Sequence, residues 1–66
     1  MISFKPLQKL LIDKDLSKTD LANMLEISSS TAAKMWKNEY VAMKIVDDIC
    51  KKLNCRITDV IEYVPD

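Results

Sequence analysis

Residues 17–38 read SKTDLANMLEISSSTAAKMWKN, and this stretch decides the fold of the chain. Ser17 and Asp20 have the spacing of a capping box, in which a serine at the N-cap and an acidic residue three positions later each accept the other's backbone amide. The pattern predicts that a helix begins at Lys18 and runs to about Leu25. A short turn then leads into a second helical segment.

The segment after the turn predicts a helix with two different faces. Ser28 or Ser29 supplies its N-cap, and the helix reaches about Lys37. Apolar residues share one face at the i, i+3, i+4 spacing: Ala32, Met35 and Trp36. Polar and basic residues centre on the opposite face: Ser30, Lys34 and Lys37. Asn38 is expected to end the helix in the left-handed conformation that glycine usually adopts.

The flanking sequence predicts three further helical segments and two extended ones. The helical segments are about Pro6 to Lys14, about Met43 to Leu53, and a last turn from Thr58 through Ile61. The extended segments are Ile2 to Phe4 and Tyr63 to Pro65, which we expect to pair within one chain. The chain is therefore predicted to be all-α, a compact five-helix domain over residues 1–66 in which a short N-terminal strand pairs with the C-terminal tail.

The composition excludes most catalytic chemistry. The 66 residues include no glycine, which excludes glycine-rich phosphate loops and dinucleotide fingerprints, and no histidine, the usual general base and metal ligand. A disulfide between Cys50 and Cys55 would close a tiny loop across a helix end, and two cysteines without histidine cannot complete a zinc site. We interpret both as small buried apolar residues, and we expect no enzymatic activity, metal or cofactor.

The start of the chain, MISFKP, has no apolar run suited to a signal peptide or a membrane span, so we expect a cytoplasmic protein without membrane contact.

Net charge is zero, which counts against nucleic-acid binding. The charges are unevenly distributed, however, because residues 34–44 contain three lysines and one acidic residue. Acidic residues dominate the C-terminal third: Asp47, Asp48, Asp59, Glu62 and Asp66. We therefore expect one side of the molecule to be basic and the other acidic, so that the electric field of a polyanion would orient it.

The order of these motifs resembles that of a known family. Leu21-Ala22 on a capped helix, Ile27-Ser28 closing a short turn, and the polar-faced segment Thr31 to Lys37 resemble the Cro and lambda-repressor type of helix-turn-helix regulator, often called XRE-type. The resemblance covers essentially the whole chain and is to the small single-domain bacterial subgroup. Two positions depart from the family pattern: Glu26 replaces a glycine in the turn, and Ala32 replaces a branched apolar residue between the helices.

The resemblance implies a transcriptional regulator that binds operator DNA as a repressor, with helix three, about residues 29–37, in the major groove. Base edges would be contacted by Ser29, Ser30 and Lys34, with Ala33 against a thymine methyl. Phosphates would be contacted by Lys18, Thr19, Ser28, Thr31, Lys37 and Asn38. Such proteins gain affinity as homodimers, for which the candidate surfaces are Ile12, the Ile2/Phe4 strand and the Tyr63-Val64 segment.

An alternative stays open, in which the chain is a protein-interaction module on the same fold, such as an anti-repressor or an antitoxin component. Neutral net charge and short side chains on helix three favour this alternative. The lysines at positions 18, 34 and 37 favour double-stranded DNA as the partner. Each candidate also has a simpler interpretation: Ser28 and Ser29 as caps, Lys34 and Lys37 as a solvated face, and Trp36 as a packing residue.

Overall fold

The computed structural model describes residues 1–65 and contains, in that range, four α-helices, one turn of 3-10 helix and a two-stranded sheet. The helices are α1 (Lys5–Asp13), α2 (Lys18–Leu25), α3 (Ser29–Trp36) and α4 (Met43–Leu53). The strands are β1 (Ile2–Ser3) and β2 (Glu62–Tyr63). No helix in the described range is long and apolar enough to cross a membrane. The C-terminal acid at position 66 lies outside the described residues.

The all-α fold class is confirmed, whereas the predicted fifth helix is only a 3-10 turn over Ile57–Asp59. The Asp59 carboxylate accepts the Arg56 amide at 3.1 Å and so begins the turn. Propagation stops because the Val60 carbonyl accepts the amide of Leu7 on α1, at 3.2 Å, instead of an amide of its own turn. Val60 is fully buried, so packing against α1 directs the chain here.

All four helices end without glycine, in a residue with left-handed backbone. These residues are Asp15, Glu26, Asn38 and Asn54, with φ between 50° and 58°. The next residue donates its amide to the carbonyl five positions back, at 2.9–3.2 Å: Leu16 to Leu11, Ile27 to Ala22, Glu39 to Lys34 and Cys55 to Cys50. This is the Schellman arrangement, which pairs carbonyls that the helix leaves unbonded. The left-handed terminator expected at Asn38 is confirmed.

The core lies between the four helices and includes residues from both ends of the chain. Its largest fully buried side chains are Leu7, Leu21, Met35, Ile49 and Val60, one from each helix and one from the segment after the 3-10 turn. Ile12, one of the candidate dimer surfaces, is 77% exposed. Because α2 and α3 each contribute a fully buried residue, one face of the two-helix unit is held against the core and the other faces solvent.

The predicted pairing of the two ends within one chain is confirmed. β1 and β2 are antiparallel, with Ile2 opposite Tyr63. The Met1 ammonium donates to the Val64 carbonyl at 2.7 Å, and the Val64 amide donates back to Met1 at 2.8 Å. This sheet fixes the position of Phe4, whose side chain is buried directly before α1.

Candidate nucleic-acid interface

The N-terminus of α2 is built by the predicted capping box. The Ser17 hydroxyl accepts the Asp20 amide at 3.0 Å, and the Asp20 carboxylate accepts the Ser17 amide at 3.0 Å. The hydrogen bond that the Ser17 backbone amide donates to the carboxylate, and after it the hydrogen bond from the Ser17 hydroxyl to the carboxylate, lower the pKa of Asp20 below its ordinary value. The capping box provides a partner for the Asp20 amide. The amides of Lys18 and Thr19 also lie in the first turn, but they have no hydrogen-bond partner within the helix.

The turn between α2 and α3 depends on Glu26, which adopts the left-handed conformation with φ of 56° and ψ of 38°. Glu26, which stands where the family usually has glycine, therefore adopts the left-handed backbone despite its Cβ. Ile27 donates its amide to the Ala22 carbonyl at 3.2 Å and packs against the core. These contacts set the direction in which α3 leaves the turn.

Ser28 is the N-cap of α3, and its hydroxyl accepts the Thr31 amide at 3.2 Å. The same hydroxyl lies 3.1 Å from the Ser30 hydroxyl and 3.0 Å from the Thr31 hydroxyl. A hydroxyl has one donor and two acceptor positions, so these three side chains use much of their hydrogen-bonding capacity on one another. Ser29 stands outside this cluster and is exposed.

The solvent face of α3 carries five of the predicted contact residues, all exposed: Ser29, Ser30, Ala33, Lys34 and Lys37. Among residues 1–65, Lys34 and Lys37 form no salt bridge, whereas Lys44 pairs with Asp48 at 3.1 Å and Lys51 pairs with Asp47 at 3.3 Å. Lys34 on α3 and Lys37 directly after it therefore carry positive charge without an acidic partner among residues 1–65. The opposite face of the helix is anchored, because Ala32 and Met35 are buried.

A groove of about 300 Å³ separates α2 from α3. The small side chain of Ala32 and the ring of Trp36 are among the groups that line it. The groove brings together four predicted contact residues from both helices: Lys18, Thr19, Ser29 and Ala33. It also includes Trp36, for which packing was the simpler interpretation, and Asn23, which sequence patterns had not indicated as a contact. The Lys18 ammonium lies 5.2 Å from the centroid of the Trp36 ring.

A second depression, on the other side of α3, brings Thr31 and Lys34 together with Tyr40. Tyr40 is 79% exposed in the connection between α3 and α4, and its phenol is a hydrogen-bond donor. Sequence analysis missed this residue because a connecting segment has no periodicity from which exposure can be inferred. The depression makes Tyr40 a candidate contact beside α3.

Asn38 differs from the other candidates, since its side chain already has a structural partner. Its Oδ1 accepts the Phe4 amide at 2.8 Å, and the side chain is half-buried. Only the Nδ2 group retains donors for an external ligand. The hydrogen bond joins the end of α3 to the residue that precedes α1.

The cysteines lie on a different part of the molecule, at the end of α4. Both are free and half-buried, and their side chains pack against the core. The pKa of Cys55 is raised, first by burial and then by the neighbouring Cys50 thiol. Within residues 1–65 there is no group of three or more histidine, cysteine or acidic side chains placed to hold a metal ion.

Comparisons with known proteins agree with this geometry. A family model described as the Cro/C1-type HTH DNA-binding domain matches residues 6–66. The crystal structure of the transcriptional regulator VanUg, form II, is 43% identical in sequence and similar in fold, with a TM-score of 0.94 over 98% of this chain and 87% of that chain. No curated protein matches the chain.

Proposed function

This chain belongs to the Cro/C1-type helix-turn-helix DNA-binding family, and on that premise we propose that it is a sequence-specific transcriptional repressor acting as one domain over residues 1–66. Repression requires only that the operator be occupied. The observation that carries the proposal is the two-sided construction of α3. Its buried face fixes the helix against the core, while its exposed face offers small side chains and two lysines without acidic partners among residues 1–65.

In this proposal the N-terminal half of α3 enters the major groove. Ser29 is free to exchange hydrogen bonds with a base edge, whereas Ser30 must share its hydroxyl with Ser28. Lys34 donates to the guanine acceptors O6 and N7, and Ala33 contacts a thymine methyl. Direct readout by side chains this short is modest, so phosphate contacts supply much of the affinity.

The phosphate contacts come from both helices and from the connections beside them. Lys18 and Thr19 act with the unbonded amides of the first turn of α2, where the helix dipole favours an anion. Ser28, Thr31 and Lys37 act from α3, and Tyr40 adds a phenol beside Lys34. Asn38 contributes only through its Nδ2 group. Such contacts set the register on the duplex without reading sequence.

We further propose that the repressor binds as a homodimer, because two-fold symmetry places two recognition helices about 34 Å apart on a near-palindromic site. Of the earlier candidate surfaces, Phe4 is buried and β1 is paired with β2, so both are engaged within one chain. The exposed apolar residues that remain near the sheet are Met1, Tyr40, Met43, Tyr63 and Val64. A small apolar cleft of about 110 Å³ lies among Ile2, Tyr40 and Met43 and would receive a side chain from the second copy.

The test is selection from a random duplex library with the purified protein, followed by a salt titration on the enriched site. The double substitution Lys34→Ala with Lys37→Ala is expected to reduce the log–log salt slope by about 1, since Lys37 is the phosphate contact of the pair and each such contact contributes about 0.9. It is also expected to relax the preference for guanine at the position that Lys34 contacts. Lys51→Ala with Lys52→Ala on α4 is the matched control, because it changes net charge equally. Lack of any enriched site would overturn the proposal, and so would equal effects of the two double substitutions on the enriched site.

A protein-interaction module of the anti-repressor or antitoxin type is the second candidate. Zero net charge and the mutual hydrogen bonding of Ser28, Ser30 and Thr31 favour it. A folded protein that enriches no duplex and shows no salt-dependent retardation would support this second function.

A further inference from the structure

The contact between Lys18 and Trp36 joins the first residue of α2 to the last residue of α3. The ammonium lies 5.2 Å from the ring centroid, within the range of a cation–π interaction. Trp36 is the only tryptophan of the chain and is half-buried, so one part of its ring packs on the core while its face is available to the lysine. The contact therefore bridges the two helices that form the groove.

The position of Lys18 is unfavourable for the free helix. The N-terminus of α2 carries the positive end of the helix dipole, which favours acidic rather than basic side chains in the first turn. A phosphate bound at the same place would reverse this balance, since it would meet the ammonium, the dipole and the unbonded amides together. In the free protein the only acidic side chain in the first turn is Asp20, whose carboxylate is used by the capping box.

We propose that Trp36 is a positioning residue for DNA binding, whose ring holds the Lys18 ammonium at the edge of the α2–α3 groove for a backbone phosphate. The inference rests on the proposed function. An ammonium has three donors and keeps its full charge over an aromatic ring, so donors remain for phosphate oxygens. Because the ring orders a long flexible side chain before binding, less conformational entropy is lost when the phosphate arrives.

The groove suits the sugar–phosphate unit that would accompany this phosphate. Its walls are apolar at Ala22, Ala33 and Trp36, which suits the face of a deoxyribose. Its rim carries hydrogen-bonding side chains from both helices: Thr19, Asn23 and Ser29. Ala32, which departs from the family pattern, also lines this groove.

A double-mutant cycle distinguishes positioning from packing. Trp36→Leu is expected to weaken binding to the enriched duplex by about two- to ten-fold, because the Lys18 side chain must then be ordered on binding. Lys18→Met is expected to weaken binding further and to reduce the salt slope by about 1. The double variant should then bind no more weakly than Lys18→Met alone. Equal effects of Trp36→Leu in both backgrounds would show that Trp36 acts only in packing and would overturn the inference.

Two further measurements keep the inference testable if Trp36→Leu disturbs the fold. Trp36→Phe retains an aromatic face and should show a smaller loss of affinity than Trp36→Leu. In the DNA-free protein, NMR should show the ε-methylene protons of Lys18 shifted upfield by the indole ring and returned to ordinary values in Trp36→Leu. Ordinary shifts in the native protein would overturn the inference while leaving the proposed function standing. A native protein that binds no duplex would overturn both.

Discussion

The side-chain oxygen of Asn38 accepts the backbone amide of Phe4 at 2.8 Å, which ties the end of α3 to the residue before α1. The same asparagine holds the left-handed backbone that ends α3, with φ of 58°. One residue therefore terminates the proposed recognition helix and attaches it to the N-terminal segment. Its two roles can be separated by substitution.

Asn38→Gly should destabilise the protein by about 1–2 kcal/mol, because glycine keeps the left-handed backbone but leaves the Phe4 amide without its partner. Asn38→Asp keeps an acceptor and should cost less. Asn54→Gly is the matched control: Asn54 ends α4 with φ of 50° and is exposed, so its replacement should cost nothing. Urea unfolding measures all three, and equal stability of the two glycine variants would show that the Phe4 bond contributes nothing.

Glu26→Gly should stabilise the protein by about 1 kcal/mol, because the left-handed conformation is strained for a residue with a Cβ and unstrained for glycine. For a domain of this size the gain corresponds to a rise in Tm of about 4–8 °C. Glu26→Ala, which keeps the Cβ, should give no such rise. A thermal melt in which both variants behave alike would contradict the strain at this turn.

Ala32→Val should stabilise the protein by about 1 kcal/mol, because added methyl groups fill part of the groove between α2 and α3. Ala33→Val is the matched control on the exposed face of the same helix and should lower stability by up to about 0.7 kcal/mol through helix propensity alone. Chemical denaturation gives both values. A loss of stability in Ala32→Val would mean that the groove cannot accept a branched side chain.

The stability of the capping box should depend on pH through Asp20. Because folding lowers the pKa of Asp20, its contribution is fully present above the pKa of an unstructured aspartate. That contribution is lost as the pH falls through the lower pKa of the folded protein. Carbon-detected NMR titration should show the pKa of Asp20 rising in Ser17→Ala, where the hydroxyl contact is absent. An unchanged pKa would contradict the contribution of the hydroxyl.

Cys55 should react with iodoacetamide only at higher pH than a cysteine in the unfolded protein, because burial and Cys50 raise its pKa and the thiolate is the nucleophile. The protonated Cys55 thiol stabilises the folded protein fully at a pH below the pKa that Cys55 has in the unfolded chain. This stabilisation is lost as the pH rises through the higher pKa that Cys55 has in the folded protein. Peptide mapping gives the alkylation rate of each cysteine. In Cys50→Ala the onset for Cys55 should move to lower pH.

Sequence patterns predicted the structure correctly where interactions between near neighbours in the chain determine it. The Ser17 box, the Asn38 terminator and the bounds of α2 and α4 depend on residues within one or two helical turns, so residue patterns predicted them. The fifth helix was predicted from a similar local pattern and is a 3-10 turn instead. A distant hydrogen bond to Leu7 competes there with the continuation of the helix.

The sequence by itself determined the two-helix unit of residues 17–38, its caps and its polar outward face, because each rests on contacts between near neighbours in the chain. Only the tertiary structure decided which residues from other parts of the chain contact that unit and which of its own side chains meet across the two helices. It brought Phe4 to Asn38, the Trp36 ring to Lys18, and Tyr40 to Lys34, pairs that no local pattern predicts. Such pairs form because burial of the shared core orients whole helices, and side chains far apart in sequence then meet at their ends.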